Sequence, residues 1–188
     1  MARAFITGSA DGLGLAAAQT LLEDRHKVVI HARSTSRLAA VRDLLERGAE
    51  VVVGDLSDLE ETRNVAAQVN RLGPMDGVIH NAGVISGPRV LPVNVVAPYL
   101  LTALIERPRR LIYLSSSMHR GGRARLSGMD WSGQRTTGSY SDSSCSSQRS
   151  PSPSRASGRT CSAMRSIPGG CRRRWAAPAH RTICDSGT

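Results

Sequence analysis

Over its first 115 residues the chain alternates short β-branched, apolar runs with longer segments of helical period. "ARAFIT" (2–7), "KVVIHA" (27–32), "AEVVVGD" (49–55), "MDGVIHNAG" (75–83) and "RRLIYLSSS" (109–117) read as strands. Between them, "LGLAAAQTLLED" (13–24), "STSRLAAVRDLLERG" (34–48), a polar segment from about Ser57 to Arg71, and "VNVVAPYLLTALIE" (93–106) read as helices. Ser34 is placed to cap the second helix and Gly48 to end it, while Pro98 requires a bend in the fourth. Strands joined by crossover helices run parallel, and their near-continuous apolar character suits burial on both faces. The pattern therefore predicts an α/β fold, a doubly wound parallel sheet covered by helices.

That pattern stops inside a short interval. All 17 Leu and 14 Val lie before position 144, and residues 144–188 offer only Met164, Ile167, Trp175 and Ile183 as large apolar groups. Residues 1–143 carry 17 Lys+Arg against 14 Asp+Glu, whereas the last 45 carry 8 Arg against one Asp, so +7 of the net +10 belongs there. After a Gly/Arg/Ser-rich loop at roughly 118–137, helical patterning should resume near Tyr140, but from Ser144 onward neither a 3.6 nor a 2 period is visible. A Ser, Arg, Pro and Gly composition of this kind cannot offset its ordering entropy. The expectation is a folded domain over 1–143 and a disordered tail over 144–188.

The tail also holds all four cysteines, Cys145, Cys161, Cys171 and Cys184, at separations too wide for a structural zinc pair, so no metal site is expected. Its arginines lack the aromatic interleaving of a nucleic-acid module, which argues against that partner. No window approaches the ~20 apolar residues of a membrane span, and Met1 leads directly into a short strand, so a cytoplasmic protein without a membrane partner is expected.

"TGSADGLG" (7–14) stands between the first strand and the first helix. Gly8, Gly12 and Gly14 sit where a dinucleotide-binding turn needs tight curvature and close backbone approach to a pyrophosphate, and the helix N-terminus favours that negative charge. Thr7, Ser9, Asp11 and Leu13 complete the candidate turn.

The spacing T-G-x3-G-x-G resembles the short-chain dehydrogenase/reductase family, and the resemblance continues over about 140 residues. Asp55, followed by Leu56, matches the family's adenine-contacting acid, and Asn81, Ala82 and Gly83 match its loop after strand four. Asn94 matches the helix asparagine, and Ser116 the strand-five serine, with Ser115 and Ser117 as alternative assignments. Tyr140 opens the Tyr-x-x-x-Lys motif. The resemblance implies a Rossmann fold and hydride transfer between NAD(P)(H) and a small carbonyl or alcohol substrate. It makes Tyr140 the proton donor, Ser116 the hydroxyl that polarises the carbonyl, and Asn94 the anchor of a water in the proton relay. A homo-oligomer is compatible with it. At the end of strand two, Arg33 and Arg37 stand where an NAD-preferring fold places an acid, which favours NADP, with NAD as the alternative.

The chain departs from the family at one decisive position. A phenol titrates near ~10 unless a cation lies beside it, and the family's lysine four residues after the tyrosine is here Ser144. Strands six and seven have no counterpart. A frame slip near codon 143 is the expected cause of both departures. Residues 160–178 can be back-translated so that a shifted frame reads V-L-S-N-A-V-D-P-G-W-V-P-T-K-M-G-G-P, which resembles the family's strand-six segment. The same shift across Ser143, Ser144 and Cys145 yields lysine and then leucine. Impaired catalysis is the expectation for the chain as it stands, and a non-catalytic dinucleotide-binding or sensor protein with a basic interaction tail is the alternative.

Overall fold

The computed structural model describes residues 1–123 and 127–149. Five strands, β1 (Arg3–Ile6), β2 (Lys27–Ala32), β3 (Glu50–Val53), β4 (Gly77–His80) and β5 (Arg110–Tyr113), form one parallel sheet in the order β3-β2-β1-β4-β5. Helices α1 (Gly12–Glu23), α2 (Arg42–Glu46), α3 (Leu59–Arg71) and α4 (Ala97–Leu104) make the crossovers. This is the doubly wound Rossmann architecture. Its order reverses between β1 and β4, so the connections leaving these neighbouring strands diverge and open a crevice beyond their carboxyl ends.

Successive strand residues face opposite sides of the sheet, and β1 builds both cores with adjacent residues. Phe5 packs with Val29, Val52, Val78 and with Val65, Val69 and Leu101 of α3 and α4. Ile6 packs with Val28, Ile30, Ala18 of α1 and Leu44 of α2 on the other side. Helix α3 is held at its start by Asp58, whose carboxylate accepts from Glu61 N–H at 2.9 Å.

Three local expectations need correction. The helix expected over 34–48 is a 3-10 turn, Thr35–Val41, followed by the short α2. Ser34 makes no side-chain cap there, because its hydroxyl bonds that of Ser36 at 2.8 Å. The fourth helix is divided into a π-helical turn, Pro92–Val96, and α4, in which Pro98 is the second residue. Helical structure does resume near Tyr140, contrary to the reading of the sequence, as α5 (Tyr140–Arg149). Its start is a reciprocal cap. Asp142 N–H donates to the Ser139 hydroxyl at 3.1 Å, and Ser139 N–H and Oγ–H donate to the Asp142 carboxylate at 3.2 and 2.8 Å. Helix α5 packs on the 3-10 turn Ser117–Gly121 and on Pro92–Val96, burying Ser143 and Ser144. Small hydroxyl side chains fit such close packing without an apolar period, which is why periodicity missed it. The expectations for the tail beyond Arg149, including Cys161, Cys171 and Cys184, lie outside the described residues.

Candidate functional site

The turn after β1 is shaped by its glycines. Gly8 and Gly12 have φ of +62° and +54°, a region that costs other residues energy. A Cβ on Gly8 would lie 2.9 Å from Ala82 Cα, and one on Gly14 would overlap the Asn81 side-chain amide and stand 2.5 Å from Gly8 O. The β1–α1 turn and the loop after β4 therefore touch with no space for a side chain.

Hydrogen bonds fasten this contact. The Thr7 hydroxyl accepts from Asn81 N–H and Ala82 N–H, each at 3.0 Å, and the Asn81 amide donates to Thr7 O and Gly8 O, also at 3.0 Å. Thr7 is 2 % exposed, and Ser9 is fully buried, with its hydroxyl donating to Ile6 O at 2.9 Å and accepting from His31 N–H at 2.8 Å. Thr7, Ser9 and Gly14 thus lie beneath the turn and support it, while Gly8, Asp11, Gly12 and Leu13 face the crevice.

The crevice comprises two adjoining cavities that share Leu13, Asn81, Ala82 and Gly83. The larger, of about 490 Å³, runs from the glycine turn past His31, Arg33 and Arg37 to Asp55 and Leu56. The first turn of α1 opens on it, with N–H groups that have no partner within the helix. Arg37 is ion-paired with Asp11. Asp55 accepts from Ser57 N–H at 2.9 Å and Ser57 Oγ–H at 2.7 Å, and Arg89 lies 3.9 Å away. Burial alone would raise the Asp55 pKa, but the Ser57 bonds and the charges of Arg89 and Arg33 more than reverse it, so the carboxyl is held below its ordinary value.

The smaller cavity, of about 240 Å³, is lined by His80, Asn94, Tyr113, Ser115, Tyr140 and Ser144 among others. Tyr140 and Ser144 stand one helical turn apart on the same face of α5. Asn94, on the π-helical turn, accepts from Val84 N–H and donates to Val84 O, both at 2.9 Å, and donates to the Ser143 hydroxyl at 3.0 Å. It thereby joins the loop after β4 to α5. Ser116 is not among the residues around the cavity. It precedes the 3-10 turn, and its hydroxyl accepts from Met118 N–H at 3.3 Å. Ser115, the alternative assignment, does line the cavity. No Lys or Arg is among its described lining residues.

In the wall of this cavity the His80 and Tyr113 rings stack at 4.6 Å, and the Thr102 hydroxyl bonds His80 Nε2 at 3.1 Å and the Tyr113 hydroxyl at 2.6 Å. Burial pushes the His80 pKa down to about 3 and raises that of Tyr113. His31, Arg89 and His80 are not singled out by the sequence reading. A polar residue near the carboxyl end of an otherwise apolar strand, as His31 is in "KVVIHA" and His80 in "GVIH", is the available signal. Among the described residues no group of three His, Cys, Asp or Glu could hold a metal ion, and no helix is long and apolar enough to cross a membrane.

A family model described as short chain dehydrogenase matches residues 2–105. An uncharacterized oxidoreductase of Emericella nidulans is 45 % identical over 135 residues, which cover 65 % of this chain and 53 % of that protein. The short-chain dehydrogenase chyC of Penicillium rubens is 41 % identical over 140 residues, covering 70 % and 54 %. The chain thus spans about half the length of these relatives. The crystal structure of a blue fluorescent protein from a metagenomic library, in complex with NADPH, superposes with a TM-score of 0.58 at 25 % identity, covering 77 % of this chain and 63 % of that one.

Proposed function

Because the chain belongs to the short-chain dehydrogenase family, we propose that residues 1–143 bind NADP in the larger cavity and serve hydride transfer between it and a small carbonyl or alcohol. The observation that carries this reading is the continuity of the two cavities through Leu13, Asn81, Ala82 and Gly83, which sets a phosphate-binding turn beside Tyr140. The residues present fit the cofactor. The contacts at Gly8 and Gly14, which no Cβ would permit, shape the turn, and Gly12 faces the larger cavity with open space where a side chain would stand. The α1 N-terminus suits a pyrophosphate, Arg33 and Arg37 suit a 2′-phosphate, and Asp55 and Leu56 border the far end. The similar NADPH-bound protein supports the same choice.

A bound NADPH supplies the hydride. The protein's part is to place the carbonyl in the smaller cavity and to give its oxygen a proton. Tyr140 is the proton donor, and a hydroxyl of the Ser115–Ser117 run polarises the carbonyl. Asn94 has both amide hydrogens engaged, with Val84 and Ser143, so its side chain positions the cavity wall and α5.

At position 144 a serine occupies the place from which a cation would favour the phenolate, so the chain is proposed to hold the cofactor with little or no turnover. The same serine favours a second reading, a non-catalytic dinucleotide binder. Titration with NADPH, followed by an assay of ketone reduction, tests both: binding without turnover is expected. Absence of binding would sink the site, and vigorous reduction would sink the claim of impairment. Sequencing the coding DNA from codon 138 onward tests the frame slip. A single missing or additional base near codon 143 is the expected result, and an intact frame whose shifted reading carries no lysine at that point would refute it.

A further inference from the structure

We infer that His31 is a positioning residue of the nucleotide site, which sets the Gly8 peptide through one neutral tautomer of its ring. Three segments meet at this side chain. Gly8 N–H donates to His31 Nδ1 at 3.0 Å, and His31 Nε2 lies 2.8 Å from Gly54 O. On the backbone, His31 N–H donates to the Ser9 hydroxyl at 2.8 Å and Ser9 N–H donates to His31 O at 3.2 Å. The residue is 3 % exposed.

A backbone N–H can only donate and a backbone carbonyl can only accept. Nδ1 must therefore carry the lone pair and Nε2 the hydrogen, and no other state of the ring satisfies both partners. Burial opposes the charged ring and works in the same direction. Gly8 has a positive φ, and the Ala82 backbone closes its far side. The ring thus decides which way the Thr7–Gly8 peptide points, and with it the Thr7 carbonyl that Asn81 holds. Gly54 directly precedes Asp55, so the same ring ties the phosphate end of the larger cavity to its opposite end. The inference rests on the reading of that cavity as an NADP site.

Two substitutions in the full 188-residue chain separate the ring's two bonds. His31→Asn places an amide oxygen near the Nδ1 position and keeps an acceptor for Gly8. His31→Gln reaches the Nε2 position and keeps a donor for Gly54, while Gly8 N–H is left without its partner. Affinity for NADPH is read by fluorescence titration and the melting midpoint beside it. The expected result is that Gln weakens NADPH about tenfold more than Asn, whichever variant melts lower. Equal affinities or tighter binding by Gln would each overturn the positioning role. Wild-type protein that binds no NADPH overturns the site reading and this inference together, whereas wild-type binding with equal variants overturns the inference alone. Should either variant fail to fold, long-range proton–nitrogen NMR of the wild-type ring decides. The Nε2–H tautomer near neutral pH is expected, and a charged or Nδ1–H ring refutes the proposal.

Discussion

Asn81 is bonded to Thr7 twice: its backbone N–H donates to the Thr7 hydroxyl and its side-chain amide to the Thr7 carbonyl, both at 3.0 Å. These residues lie 74 positions apart and directly follow the two strands at which the sheet order reverses. The crevice is held in shape by polar bonds at its base, where Thr7 is almost fully buried. Thr7→Val keeps the shape of the side chain but removes the acceptor of Ala82 N–H and leaves Asn81 N–H only its bond to Ile79 O at 3.1 Å. The expected loss of unfolding free energy is about 2 kcal/mol, read by urea denaturation. A change below about 0.5 kcal/mol would place the fastening elsewhere.

Gly12 and Gly14 should respond differently to alanine. At Gly12 a Cβ meets nothing within 4 Å, so only the positive φ opposes it, at about 1 kcal/mol. At Gly14 the Cβ overlaps Asn81 and crowds the Gly8 carbonyl. Gly14→Ala should lower the melting midpoint further and weaken NADPH more than Gly12→Ala. The reverse ranking would mean that the two loops are not pressed together.

Arg37 is engaged by Asp11, whereas Arg33 faces the cavity with Asp55 as an opposite charge. Arg33→Ala should therefore reduce the preference for NADPH over NADH by about tenfold or more. Arg37→Ala should reduce it less. Competitive titrations of both cofactors measure the two preferences, and a larger effect at Arg37 would show that Asp11 releases it.

Acid should begin to destabilise the fold well above the carboxylate range. His31 and His80 are buried neutral, with folded pKa values below 6.5 and, for His80, about 3. Above the unfolded value both states are neutral and no slope arises. As pH falls below 6.5 the unfolded chain takes up protons that the fold excludes, and stability is lost until the folded pKa is passed. The lowered pKa of Asp55 contributes only later, as pH falls below its ordinary value of 3.8. Unfolding free energies between about pH 7 and 4 should therefore decline, and His80→Phe should flatten the decline. A flat wild-type profile over that interval would contradict the burial of these rings.

The start of α5 depends on the bonds between Ser139 and Asp142. Ser139→Ala should cost about 1 kcal/mol and detach Tyr140 and Ser144 from the smaller cavity. Faster amide exchange over 140–145 measures this, and unchanged exchange would assign the helix to packing alone.

Much of the fold is legible in the sequence because its determinants are local. "KVVIHA" reads as a strand over 27–32, and β2 has those limits; the alternation of strands and helices requires a parallel sheet. The tight curvature expected of the glycine turn is met at Gly8 and Gly12, whose positive φ only glycine adopts without cost. The misreadings share one cause. The 3-10 turn at Thr35–Val41 and helix α5 are set by hydroxyl hydrogen bonds and by neighbouring elements, not by an apolar period.

The sequence by itself determined the five strands, their parallel pairing and the chemical kind of the glycine turn, since each follows from backbone preference and side-chain pattern within a few residues. Only the tertiary structure decided which residues face the crevice and which support it. Thr7, Ser9 and Gly14 belong to the turn in sequence but lie beneath it, Ser115 rather than Ser116 borders the smaller cavity, and His31 joins Gly8 to Gly54. The physical reason is distance along the chain. Hydrogen-bond partners such as Thr7 and Asn81 are brought together by the packing of Phe5 and Ile6, which holds β1 between β2 and β4.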